Sequence, residues 1–186
     1  RSIIHNTIGT HVLVRYIDRM DKCPIYLLHI YAKIQFDIFH REGVVILIRK
    51  AFLSDSQEIA RLSSQLGYPV DVSQLEERLQ YISNHNDHIV YVMESNHVLF
   101  GWIHANVRFL IESPPFVEIA GLVVDSAYRG NGIGKQLVQA CEQWTAESGF
   151  KKIRVRTNQT RSDAVQFYNR IGFTIKKSQH VLDKEI

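Results

Sequence analysis

The chain has 186 residues, 45% of them hydrophobic and 22% charged, with 22 Lys and Arg against 19 Asp and Glu for a net charge of +3. That size holds one domain plus a short extension and excludes a two-domain dehydrogenase or a complete (β/α)8 barrel, which needs at least about 200 residues. The composition is that of a folded globular protein rather than a disordered one, and the small positive excess does not mark a nucleic-acid binder. The two cysteines, Cys23 and Cys141, are far apart and lack metal-ligand spacing, so neither a disulfide framework nor a metal is expected and a reducing cytoplasm is the default. No apolar run reaches the length of about 18 residues that a membrane span requires, and the N-terminus has no signal-peptide pattern.

Residues 1–43 stand apart. They hold four of the nine histidines, and the run Ile25 to Phe39 is apolar enough for a buried helix or a strand pair, between which periodicity does not decide. This stretch is expected to be an N-terminal extension, with the main domain spanning 44–186. From Val44 the pattern becomes regular. Val44 to Arg49 is β-branched and reads as a strand. Asp55, followed three residues later by Glu58, fits a helix cap, with Ile59, Leu62 and Leu66 at helical spacing and Gly67 as the stop. Asp71 opens a second helix, with Leu75, Leu79 and Ile82 inward. Ile89 to Met93 and Val98 to Arg108 read as a hairpin joined at Glu94 to His97. Val117 to Val124 is a nearly continuous apolar strand, which implies burial on both faces.

A glycine-rich loop then opens a long helix in which Ile133, Leu137, Cys141 and Trp144 share a face and Gly149 is the stop. A short strand at Ile153, Val155 and Thr157 follows, then a helix marked by Ala164, Phe167, Tyr168 and Ile171. Phe173 to Leu182 is expected to add one or two strands. The order β-α-α-β-β-β-α-β-α-β(β) makes an α/β or α+β layered domain.

The loop Tyr128-Arg129-Gly130-Asn131-Gly132-Ile133-Gly134-Lys135 is the most informative segment. Alternating glycines allow a tight backbone that gathers N–H groups. The helix N-terminus adds unpaired donors and partial positive charge, so the segment suits a phosphate or pyrophosphate. The Walker pattern fails, since Arg129 stands where its first glycine belongs and Gln136 follows Lys135. The dinucleotide pattern fails because its third glycine comes one residue early. What remains is R-x-x-G-x-G between a strand and a helix.

That pattern resembles the GCN5-related N-acetyltransferase (GNAT) superfamily, and the likeness extends along the chain over about residues 44–184. Leu122-Val123-Val124 leads into the loop, a later strand runs to Asn158, and Ala164, Tyr168, Gly172 and Phe173 match the family's A-x-x-x-Y-x-x-x-G-F helix. Ile48 to Leu62 looks like its first strand and helix. The resemblance implies a mixed central sheet of about six or seven strands flanked by about four helices, binding acetyl-CoA (coenzyme A) as co-substrate with no metal.

It further implies roles for particular residues. Backbone groups from Arg129, Gly130, Asn131, Gly132, Ile133, Gly134 and Lys135 would bind the CoA pyrophosphate. The Leu122, Val123, Val124 strand would pair with the pantetheine arm as an added β-strand does, with Leu122 or Val124 N–H facing the developing oxyanion. Asn158 would bond the same arm or form a turn before Arg161. Tyr168 would act as general acid to the departing thiolate, or serve as a core aromatic beside Phe167. Glu118, the one acid within its apolar strand, is the candidate base, the other reading being a surface or dimer-facing charge. His104, Glu112 and Tyr91 are further candidates for the acceptor side.

Asp55, Asp71, Glu76, Glu77, Glu112 and Glu118 would suit a cationic amine, and Gly67-Tyr68-Pro69 is weakly similar to aminoglycoside-type members. The expected reaction is direct acetyl transfer to a primary amine of a small molecule or peptide. No nucleic-acid or membrane partner is expected, and homodimer formation is open. The alternatives are a non-catalytic acyl-CoA-binding regulatory module on the same fold and a basic nucleic-acid-binding domain.

Overall fold

The computed structural model describes residues 39–41, 44–96 and 98–186. The expected extension, apart from Phe39–Arg41, lies outside the described residues, as do Cys23 and most of the apolar run from Ile25. Six strands are found among the described residues: β1 (Phe39–Arg41), β2 (Val44–Lys50), β3 (His88–Ser95), β4 (Val98–Leu110), β5 (Ser113–Val124) and β6 (Ile153–Val155). They lie side by side in chain order. The first five pair antiparallel, and β5 to β6 is parallel. Since β1 pairs with β2, the sheet starts before residue 44. Among the described residues there are four α-helices: α1 (Ser56–Ser64), α2 (Val72–Ser83), α3 (Ile133–Glu147) and α4 (Ser162–Arg170).

The two faces of the sheet bury different helices. Against α3 and α4, the strands contribute Ile89, Met93, Ile103, Ala105, Val107, Val117 and Ile119. Into this layer α3 inserts Ile133, Leu137, Val138 and Cys141 at helical spacing, and each such buried aliphatic contributes roughly 1.5–3 kcal/mol. On the opposite face Val90, Val92, Leu99 and Val123 pack with Ile59 and Leu62 of α1 and Leu79 of α2. The alternation in β4, with Gly101, Ile103, Ala105 and Val107 buried and Trp102, His104 and Asn106 partly exposed, follows from the two-residue period of a strand.

Two sequence expectations change. Asp55 does not cap α1, because its carboxylate turns back to the Phe52 N–H (2.7 Å) and to both terminal nitrogens of Arg49 (2.7 and 2.9 Å). A half-buried guanidinium outcompetes a helix end for that carboxylate, since charge-assisted bidentate pairs are stronger than neutral caps. Asp71 does cap α2, accepting from the Gln74 N–H at 3.2 Å. Second, Phe173 to Leu182 forms no strand. Lys176, Lys177, Ser178 and Gln179 are four polar residues in a row, so the alternation that would give a buried face is lost, and Ile175, Val181 and Leu182 are exposed. The sheet stands at the lower end of the expected strand number.

Candidate active site

The glycine loop takes the shape its composition predicts. After β5 ends at Val124, Asp125 accepts the Ala127 N–H at 3.0 Å and starts a single 3-10 turn, Ser126–Tyr128. Gly130 and Gly132 then adopt left-handed conformations, φ 81° and 79°, which other residues enter only at a cost of about 1 kcal/mol or more. Gly132 is the N-cap of α3, and its carbonyl accepts the Gln136 N–H at 3.1 Å. The Asn131 amide donates to the Tyr128 carbonyl at 3.1 Å and holds the loop closed. Among the described residues, none of the N–H groups from Arg129 to Lys135 donates to an acceptor of the chain. A run of such donors at a helix N-terminus is an anion cradle. Arg129 and Lys135 add charge beside it, with the Arg129 Nε also held by the Val124 carbonyl at 3.2 Å. Gly134 has a different role: a Cβ there would lie 3.1 Å from Cζ of Phe167, so its absence lets α4 close onto the start of α3.

The strand beside the cradle has an open edge. β5 pairs with β6 only at Val117, Glu118 and Ile119, while β5 itself continues to Val124. At the same point its register with β4 slips by one residue, from Ala105↔Ile119 to His104↔Gly121, so Ala120 is a bulge residue. Bulges bend a strand and raise its twist. The edge Ala120 to Val124 is therefore free of β6 and able to accept another extended chain. Leu122 and Val124 turn towards the α3 face, where they pack with Tyr168 in one cluster. Val123 turns to the other face.

Tyr168 is buried between Phe167 and Phe173, with ring centroids at 5.0 and 5.3 Å. Burial, partly offset by nearby Arg161, pushes its phenol up to about 12, so it is a protonated donor at neutral pH. Asn158 is exposed, and its Oδ1 accepts both the N–H and the hydroxyl of Thr160 at 3.0 Å while its carbonyl accepts the Arg161 N–H. The turn-forming reading accounts for these contacts.

Glu118 shares neither the cluster nor the face of Tyr168. Its side chain, 14% exposed, lies 3.3 Å from Arg156 Nε, an ion pair too poorly aligned to be a hydrogen bond, which leaves Oε2 buried without a hydrogen-bond partner. Cross-strand pairing puts His88, Asn106, Glu118 and Arg154 in one row. In the next row His104 stands opposite Gly121, and Trp102 follows opposite Val123. A Cβ on Gly121 would be 2.8 Å from the Trp102 ring, so the indole occupies the space beside the bulge that a side chain there would need. The His104 ring Nε2 is 3.1 Å from His88 Nδ1. Burial, with His88 adding to it, lowers His104 to about 4, so the ring is neutral near pH 7.

Several expected acceptor-side residues lie elsewhere. Tyr91 packs on the α3 face, where burial pushes its hydroxyl up to about 12. Glu112 is exposed in the β4–β5 turn. Asp55 is held by Arg49, and Asp71 caps α2. Glu76 and Glu77 line a shallow hollow with Leu53, Ser54, Ser73 and Gln80. The sequence reading missed His88, whose link to His104 depends on strand register. It also missed a tether from α1 to the loop: Arg61 Nη1 to Asp125 at 2.7 Å, and the Ser126 N–H to Gln65 at 2.9 Å. Cys141 is buried and unpaired within the core, and burial pushes its thiol up to about 12, which makes it inert as a nucleophile.

Among the described residues no cluster of His, Cys, Asp and Glu is arranged to hold a metal ion, and no helix is long and apolar enough to cross a membrane. The chain is similar to a mycothiol acetyltransferase of Corynebacterium glutamicum, 33% identical over 72 residues that make 39% of this chain and 25% of that protein. It therefore spans about a quarter of that relative's length. A 5-NmdU N-acetyltransferase of Pseudomonas phage PaMx11 is 26% identical over 70% of this chain and 89% of its own. In fold, the chain is similar to the aminoglycoside N-acetyltransferase AAC(6')-Iy in complex with CoA, with TM-score 0.70, 18% identity, and coverage of 80% of this chain and 100% of that one. The model of the acetyltransferase (GNAT) family matches residues 55–173, well over half of the sequence, and the chain belongs to that family.

Proposed function

We propose that the chain is an acetyl-CoA-dependent N-acetyltransferase that transfers the acetyl group directly to a primary amine of a small molecule or peptide. The observation that carries this reading is the juxtaposition of an anion cradle at the start of α3 with an edge of β5, Ala120 to Val124, that β6 leaves uncovered. A ligand with a pyrophosphate at one end and an extended amide arm at the other fits both. Both relatives named above are acetyltransferases and the structural neighbour holds CoA, which supports it.

Acetyl-CoA, when bound, supplies a thioester carbonyl as electrophile. The amides from Arg129 to Lys135 would hold its pyrophosphate, the edge Leu122, Val123 and Val124 would align its arm, and Asn158 would bond the same arm. Tyr168 keeps its proton at neutral pH and offers it to the departing thiolate. A phenol near 12 is a weaker acid than an ordinary thiol, by roughly 3–4 pH units. Tyr168 therefore acts first as a hydrogen-bond donor that strengthens as charge develops on sulfur. Glu118, on the opposite face and beside the bulge, takes a proton from the amine, which must be neutral to attack.

The proposal extends to a cytoplasmic enzyme, consistent with the free thiol of Cys141, to residues 1–43 as an extension of the catalytic domain, and to a homodimer, which light scattering would test. The decisive experiment is thiol release from acetyl-CoA with aminoglycosides, polyamines, amino acids and peptides as acceptors, paired with thermal denaturation. CoA and acetyl-CoA should raise the melting temperature. Tyr168→Phe and Glu118→Gln should each lower kcat by about a hundredfold. No shift in melting temperature at saturating acetyl-CoA defeats the reading, and a shift without turnover favours the regulatory module.

A further inference from the structure

The sheet face that carries Glu118 holds a hydrogen-bonded histidine pair with no part in the mechanism above. His104 stands opposite Gly121, one residue beyond the bulge at which β5 leaves β6. His88 Nδ1 lies 3.1 Å from its Nε2, and the two rings stack at 5.4 Å between centroids and 18° between planes. Beyond His88 are the His85 ring, 6.5 Å away, and the Tyr81 ring, 6.4 Å away. His85 is exposed, whereas His104 and His88 are partly buried. The pair therefore runs from the strand opening towards water.

Acetylation of an ammonium needs such a route. The acceptor nitrogen loses two protons as its bond to the acetyl carbon forms and the carbon–sulfur bond breaks. One proton ends on the CoA thiol, and the other must reach solvent. Glu118, whose side chain is largely buried beside Arg156, cannot turn over again until it gives its proton up. We propose that His104 and His88 form the proton exit of the acceptor site. His104 Nδ1 accepts the proton released from the acceptor by way of Glu118, the Nε2–H of His104 passes to His88 Nδ1, and His88 Nε2 releases a proton to water. Atoms and charge balance, and no oxidant or further reactant is involved.

A neutral imidazole with one donor and one acceptor nitrogen is the state that proton hopping requires. The low proton affinity of His104 keeps it in that state. Among the described residues, the charged and titratable groups near the pair include Asp87 next to His88 in the chain, Tyr81 and His85 from α2 and its following turn, and Glu118 from β5, with Arg154 in the same row and Arg156 paired to Glu118.

This inference rests on the acetyltransferase reading, and its test separates the two. The full chain is assayed for thiol release from acetyl-CoA with spermidine, neamine and lysine as acceptors, as wild type, His88→Asn and His88→Ala, with folding checked by circular dichroism. Asn retains a hydrogen-bonding group for His104 but cannot relay a proton. The expected result is a fall in kcat of about tenfold or more for both variants, an unchanged KM for acetyl-CoA, a larger solvent isotope effect on kcat, and recovery of His88→Ala by added imidazole. Nitrogen-15 NMR of the wild-type rings should show His104 neutral with its proton on Nε2 at pH 6. If His88→Asn turns over at the wild-type rate, or imidazole does not rescue His88→Ala, or His104 carries two protons at pH 6, the relay is overturned while the acetyltransferase reading stands. Absence of thiol release from the wild-type chain with all three amines, together with no thermal shift by acetyl-CoA, defeats both.

Discussion

Acidification probes the environment of His104 directly. In the fold its proton affinity falls from the ordinary 6.5 to about 4. At about 1.4 kcal/mol per tenfold change in affinity, the drop corresponds to about 3 kcal/mol. The sign follows from proton binding: between pH 6.5 and 4 the unfolded chain holds a proton at this histidine and the folded chain does not, so stability declines as pH falls through that window. The contribution is intact above the unfolded value and exhausted below the folded one. Asp55 and Asp125 also weaken the acid-treated fold, because Arg49 and Arg61 respectively help hold their carboxyls below the ordinary range, but they act lower in pH. Urea denaturation at pH 7, 5 and 4 of the wild type and of His104→Gln isolates the histidine. The wild type should lose about 3 kcal/mol more than the variant between pH 7 and 4. Equal losses in the two chains would refute the buried neutral imidazole.

Three further outcomes follow from the cradle and its supports. Gly132→Ala forces a side chain into a φ of 79°; it should lower stability by about 1 kcal/mol and reduce the thermal shift given by acetyl-CoA, as read by differential scanning fluorimetry. Gly101→Ala would put a Cβ 2.6 Å from the Val123 carbonyl oxygen; because the obstacle is backbone, β4 and β5 must separate, and urea titration should show a loss of about 2–3 kcal/mol. Asp125→Asn weakens the 2.7 Å contact with Arg61 and loosens the entry to the loop, so KM for acetyl-CoA should rise several-fold with kcat changed less; an unchanged KM would show that the tether does not position the cradle.

The local parts of this architecture were legible in the sequence and the non-local parts were not. The cradle depends on neighbours within one loop, and the spacing of Gly130, Gly132 and Gly134 is enough to identify it. The helices announce themselves through Ile59, Leu62, Leu137 and Cys141, which recur at helical spacing. By contrast, Leu122 and Val124 join Tyr168 on the α3 face while Glu118, an even number of residues away, points to the other, because the bulge at Ala120 reverses the alternation of β5, a register detail that no local pattern encodes. His88 becomes interesting only once β3 is laid beside β4. Asp55 misled because a cap signature is local whereas its partner Arg49 lies on the preceding strand. Phe173 to Leu182 misled because apolar residues at its two ends suggested strands across a polar middle.

The strand order carries a consequence for assembly. The β1–β2, β3–β4 and β4–β5 pairings are short-range hairpins whose closure costs little chain entropy, whereas β2 meets β3 only across α1 and α2. The contact of β5 with β6 likewise spans a helix, α3, and it rests on just three residue pairs. That seam forms late and holds weakly, and amide exchange should begin there before it reaches the hairpins. The opening proposed to receive the thioester arm lies at the end of this seam, in the part of the sheet that gives way most easily.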